Sequence, residues 1–232
     1  MKIIYIAVLL LAPMASKAVA ISVGGVSLEI PNPKGFSLLT PQMAQLYTLQ
    51  KQQDVDPINV QFAAFIPEKD ARAALQGTLP TLPRRRFLVQ TAKVAIDESV
   101  SASKFEEIKR DFKTNNAEDT QWAETRYLGS KLMSLPVHEE TDHTIAMSHV
   151  FMMAGGERGV ATSTVVHIKD KVLFLMCIDD NSDLEWTREA SRQWARAIIA
   201  ANSGSMIGTT GIIIGVLLIG VGGWAIYRRM AS

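Results

Sequence analysis

Hydrophobic positions along the chain fall into three regimes: a ten-residue apolar run, Ile3 to Ala12; a patterned middle; and an uncharged run of 22 residues, Met206 to Tyr227. In the middle, periods near two and near 3.6 alternate, which predicts strands mixed with helices. Val26 to Ile30 and Phe36 to Leu39 are β-rich pieces separated by Pro31-Asn32-Pro33-Lys34-Gly35, so a hairpin is expected to open the domain. Thr40 is placed as an N-cap with Pro41 at the first helical position, and Met43, Leu46, Tyr47 and Gln50 fall on one face. Val60 to Ile66 predicts a strand ended by Pro67, Glu68 to Gln76 a short helix closed by Gly77, and Phe87 to Ile96 another strand. Ser103-Lys104-Phe105-Glu106 has capping-box spacing, and Phe105, Ile108 and Phe112 predict a helix over Ser103 to Lys113. Asp119 to Lys131 predicts a further helix that buries Trp122 and Leu128.

The second half is richer in strands. Thr144 to Met153 and Ala161 to Ile168 are joined by a glycine-rich connection, and Lys169-Asp170-Lys171 turns the chain into Val172 to Ile178. That last segment is apolar on both faces, the signature of a central strand covered on both sides. Ser182-Asp183-Leu184-Glu185 predicts another capping box at the start of a helix running to about Ala201. Trp186, Ala190, Trp194 and Ile198 form its apolar stripe. Arg188, Arg192 and Arg196 step by four down another face, either solvated or docking a partner or lipid headgroups; Glu185 and Glu189 precede two of them by three. The expected fold class is α+β, an antiparallel sheet flanked by helices, with one C-terminal transmembrane helix.

The chain's ends set its expected location. Lys2, the apolar run and Ala18-Val19-Ala20 form a secretory signal over residues 1–20, with cleavage expected after Ala20. Residues 206–227 rise about 33 Å as a helix, enough for one crossing. Arg228 and Arg229 then stay inside, as the positive-inside rule prefers. An exported domain, residues 21–203, a span and a cytoplasmic tail, residues 228–232, suggest a bacterial inner membrane with the domain in the periplasm. Gly208, Gly211, Gly215 and Gly222 lie near one face of the span, where a second copy or a membrane-protein partner could pack.

Charge and cysteine content narrow the classes further. Of 24 basic residues four lie in the terminal segments, leaving 20 against 23 acids, so the middle carries about minus three and shows no nucleic-acid footprint. Cys177 is the single cysteine, and its apolar neighbours predict a buried core residue. The triple Arg84-Arg85-Arg86 is read as a solvated strand edge or a site for anionic partners.

Candidate chemistry is sparse. His138 and His143 bracket the one cluster rich in metal-ligand types, but they are five apart rather than the four a helical face requires. His149 and His167 would share one face of adjacent strands. Asp179 and Asp180 end the central strand, where paired carboxylates serve acid or base chemistry, or else cap the helix that follows. No nucleophile elbow, phosphate-binding glycine loop, dinucleotide fingerprint or zinc-spaced cysteine pair is present. No cofactor is implied. An interaction or accessory module of an envelope complex is the expected function. An envelope hydrolase or metal-dependent enzyme using His138, His143, Asp179 and Asp180 is the alternative, and a self-associating structural membrane protein the third reading.

The strand hairpin from Thr162 to Ile178, followed at once by the helix bearing Trp186 and Trp194, resembles the last third of PsbP and Mog1 type α/β/α sandwiches. About 40 residues carry that likeness. It implies an antiparallel sheet flanked by helices, in a group used mainly for binding and assembly, and it transfers no functional residue.

Overall fold

A computed structural model of the chain describes residues 17–53, 58–114, 132–152 and 156–204. The expected membrane span with the glycine face Gly208, Gly211, Gly215 and Gly222, most of the signal and the helix over Asp119 to Lys131 lie outside the described residues. Among the described residues no helix is long and apolar enough to cross a membrane.

The chain opens with β1 (Ala18–Val23) and β2 (Val26–Pro31), a separate two-stranded antiparallel hairpin. Gly24 and Gly25 make its turn, both at positive φ (52° and 79°), as the tight turns that suit strand twist require. This corrects the expected opening: Val26–Pro31 pairs backwards with β1, while β3 (Phe36–Leu38) joins β4 (Asn59–Pro67) in the main sheet. Between β3 and β4 lies α1 (Ala44–Gln53), which buries Leu46 and Gln50; it starts later than the expected Thr40 cap and Pro41 first position, because Met43 N donates to the Thr40 carbonyl and closes a turn there that buries Met43 ahead of the helix. Next come α2 (Glu68–Leu75), β5 (Arg85–Ala92) and α3 (Ala102–Thr114), then β6 (Leu132–Ser134) and β7 (Glu139–Glu140). The chain continues through β8 (Thr144–Met152), β9 (Arg158–Ile168) and β10 (Lys171–Asp179) into α4 (Leu184–Asn202).

The main sheet runs β3-β4-β5-β10-β9-β8-β6, with β7 also on β8, and every pairing is antiparallel. β10 is therefore central, as its apolar sequence predicts, because only a strand flanked on both edges and both faces buries such a run. Its odd-numbered residues Leu173, Leu175 and Cys177 join Phe65, Phe87, Val89 and Val166 under α4 and the β1–β2 hairpin. Its even-numbered residues face the opposite layer, where Val172 packs with Phe105 of α3, and Ile178 packs with Leu46 of α1 and Ala71 of α2. The result is an α+β sandwich with helices on both faces. Cys177 is fully buried, and burial holds its thiol well above the usual range. The α4 stripe is in the core as expected: Trp194 and Ile198 are buried, with Trp186 and Ala190 partly so.

Two caps differ from the sequence reading by one or two residues. Asp183, not Ser182, caps α4, its Oδ1 accepting from Trp186 N at 3.0 Å. Ser182 sits at φ 64° and its hydroxyl donates instead to the Arg158 carbonyl. At α3 the cap is Ser101, whose Oγ accepts from Lys104 N, rather than Ser103. In both cases several adjacent residues can act as caps, and tertiary partners choose among them.

Candidate functional site

Phe87 of β5 stands at the centre of an aromatic cluster. Its ring meets Phe36 edge-on at 4.7 Å, Trp194 at 5.0 Å and Trp186 at 5.8 Å. Phe36 and Trp186 also stack at 6.2 Å. The Pro31–Lys34 segment arches beside α4, held where Trp194 Nε1 donates to the Pro31 carbonyl at 2.8 Å and Phe36 N donates to that of Pro33. Between that arch and α4 opens a cleft of about 720 Å³. Its lining includes the four aromatic residues, with Lys34, Asn32 and Gln193 supplying polar groups. That size and lining suit a ligand or a short peptide held by apolar contact and placed by a few polar ones.

Beside the cleft the arginine triplet meets the end of β10. Arg85 Nε lies 3.1 Å from Asp179 Oδ2, Arg85 Nη2 3.1 Å from Asp183 Oδ2, and the guanidinium stacks 4.1 Å from the Trp186 ring. Arg86 pairs with Asp180 at 2.9 Å, and Arg84 donates to Asn181 at 2.7 Å. Asp179 is fully buried and its Oδ1 also accepts from the Asn181 backbone and side-chain nitrogens. The two carboxylates read as acid–base candidates are thus committed to structural pairs. The triplet, read as a solvated edge or anion site, is the partner of β10's end.

The histidines are not brought together as a metal site. His143 stacks on His167 at 6.5 Å, which also stacks on Phe105 of α3 at 5.1 Å and bonds the Val100 carbonyl through Nε2 at 2.6 Å. His138 lies toward α4; burial and the nearby Arg188 charge push its pKa down. His138 and His143 therefore sit on opposite sides of the sheet, because the turn through Thr141 separates them. His149 pairs with Ala161, six residues from His167 along β9, and bonds Ser134 Oγ through Nδ1 at 2.9 Å. Among the described residues no group of three or more His, Cys, Asp or Glu is placed to hold a metal ion.

The arginine line on α4 divides. Arg192 pairs with Glu139 of β7 and with Glu189, and Arg188 donates to Ser148 Oγ at 3.3 Å while lying 3.9 Å from Glu185. Both clamp α4 to β7 and β8, and Arg196 is exposed. Sequence reasoning placed Trp186 and Trp194 in the core and passed over Phe36, Lys34 and Gln193. Two tryptophans eight residues apart on one helix face, with a proline-bounded loop elsewhere to receive them, were the available signal.

No protein-family model matches the chain, and no curated protein matches it. Among solved structures it is similar to the Ran-binding protein Mog1p of Saccharomyces cerevisiae. That similarity has a TM-score of 0.37 and 9% identity, covering 81% of this chain and 95% of the other. The neighbour bears the name of the group that the closing hairpin and helix resemble. The architecture rests on the strand order and layers given above, and no functional residue is carried over.

Proposed function

We propose that this chain is an exported, membrane-anchored module that works by binding a partner, not by catalysis, as an accessory of a bacterial envelope complex. The signal pattern over residues 1–20 and the uncharged run over 206–227 followed by two arginines support the anchoring and the periplasmic placement. One observation carries the binding reading. The carboxylates and histidines that could carry chemistry are paired or held apart, whereas half-buried Phe36 and Trp186, backed by the buried rings of Phe87 and Trp194, line an open cleft. Aromatic side chains in such a setting are the residues that anchor interfaces. The span's glycine face, Gly208, Gly211, Gly215 and Gly222, would give a second contact within the membrane.

The test is a photo-crosslinking residue at Gln193 on the cleft rim, in the full chain exported from living cells and recovered through a C-terminal tag. One recurrent adduct is expected, lost when the exposed cleft residue Ala197 is changed to Arg and weakened when Gly211 and Gly215 are both changed to Leu. Adducts that ignore Ala197→Arg would overturn the cleft as the binding surface.

A further inference from the structure

The strand pairing of the N-terminal hairpin runs Ala18↔Pro31, Val19↔Ile30, Ala20↔Glu29 and Ile21↔Leu28 through to Val23↔Val26. Glu29 turns its backbone away from β1: its N–H donates to Asn202 Oδ1 at 3.0 Å and its carbonyl accepts from Asn202 Nδ2 at 2.7 Å. In an antiparallel pair the residues on either side then face β1, so Leu28 bonds Ile21 and Ile30 bonds Val19. The Asn32 N–H continues the ladder to the Lys17 carbonyl at 2.7 Å. Cleavage after Ala20 falls inside this ladder. It leaves the Ile21–Val23 half of β1 in place and takes away the partners of Ile30 and Asn32. It also removes Val19, the cross-strand partner of the fully buried Ile30, which packs against the same core cluster.

We infer that export of this protein opens a strand-addition site: the edge of β2 at Ile30 and Asn32, occupied by an extended segment of a partner protein that replaces Lys17–Ala20. This deepens the binding reading and rests on its export step. An unpaired edge is a template for another strand, with backbone bonds supplying affinity and alternate side chains the specificity. The partner segment runs antiparallel to β2 and places an apolar side chain where Val19 sat. Its preceding residues lie toward the aromatic cleft, because Pro31 and Asn32 belong both to the edge and to the cleft wall. A second copy of this chain fits less well. Its own β2 leads into Pro33, which has no N–H to give and so breaks the ladder just past Asn32.

The experiment uses the full chain, exported and purified in detergent, and a fluorescent peptide with the sequence of residues 14–20. Intact mass is expected to show a chain beginning at Ile21, and anisotropy a saturable association. A peptide carrying Pro in place of Val19 lacks the N–H for the Ile30 carbonyl and should bind about tenfold more weakly. The double variant Ala18→Leu, Ala20→Leu, changed at two exposed positions to block processing, should retain β1 and bind no peptide. A mature chain that keeps Lys17–Ala20 overturns the processing premise on which the open edge depends, and the mass shows this independently of binding. A folded chain beginning at Ile21 that ignores the peptide, or binds the proline peptide equally, overturns the strand-addition site itself. Dimers that the peptide does not dissociate also overturn it, in favour of a second copy.

Discussion

Arg85 and Asp179 face each other across β5 and β10, 94 residues apart in sequence, with the carboxylate wholly enclosed and the guanidinium lying on Trp186. One strand's end is thereby joined to the other's and to the first turn of α4. Removing Arg85 leaves the enclosed Asp179 carboxylate without its cation, a cost that exceeds what the pair itself contributes. Arg85→Ala should lower unfolding stability by about 3 kcal/mol. Arg85→Met combined with Asp179→Asn should lose clearly less than the summed single changes. Urea unfolding of the four proteins measures this, and additive losses would contradict the coupling.

A line of hydroxyls joins α4 to the sheet. Thr164 and Ser191 lie 2.7 Å apart, and Thr162 bridges Ser148 and Thr187 at 3.0 Å each, all buried. Thr164→Val leaves the Ser191 hydroxyl unpaired and should cost about 1 to 3 kcal/mol. Adding Ser191→Ala should restore part of that loss, since two apolar partners need no bond. A double-mutant cycle by chemical denaturation reads the difference.

The two turn glycines of the hairpin are not equivalent. A Cβ on Gly24 would lie 2.1 Å from the Ile96 carbonyl oxygen, while one on Gly25 meets nothing within 4 Å. Gly25→Ala should cost only the left-handed backbone penalty, about 1 to 2 kcal/mol. Gly24→Ala adds a clash with main chain that has to move, so its thermal midpoint should fall well below that of Gly25→Ala. Equal midpoints would show that the tip does not press on the Ile96 segment.

Burial pushes His149 down from 6.5 to about 4. The unfolded chain therefore takes up a proton between those values that the folded chain refuses. Stability is complete above about pH 6.5, falls as pH drops toward about 4 and does not fall further on this account below it, with a slope of at most about 1.4 kcal/mol per pH unit. His149→Gln should reduce the slope over that range, leaving the share from His138, whose pKa burial also lowers, and the later losses from carboxylates such as Glu140, whose pairing with Lys113 holds its pKa low. Thermal midpoints from pH 4 to 7 decide it.

What was legible in the sequence is what a local pattern can carry. β10 announced its central place by being apolar on both faces, and α4 its buried stripe by Trp194 and Ile198 at helical spacing. The Lys169–Asp170 turn appears where expected, both residues at positive φ. The opening hairpin was misplaced because Ala18–Ala20 reads equally as a cleavage motif and as a strand, and a window of residues cannot hold both meanings. Arg84–Arg86 and Asp179–Asn181 each looked like surface charge. Their mutual pairing depends on β5 lying beside β10, which no local pattern specifies. The cleft was missed for the same reason, since Phe36 and Trp186 meet only after the sheet is assembled.

The Asn202 clasp on Glu29 has a mechanical consequence. It fastens the last turn of α4 to β2 across 173 residues of chain. Fraying of that turn therefore frees the outer edge of β2, so the domain's last helix and its opening hairpin loosen together.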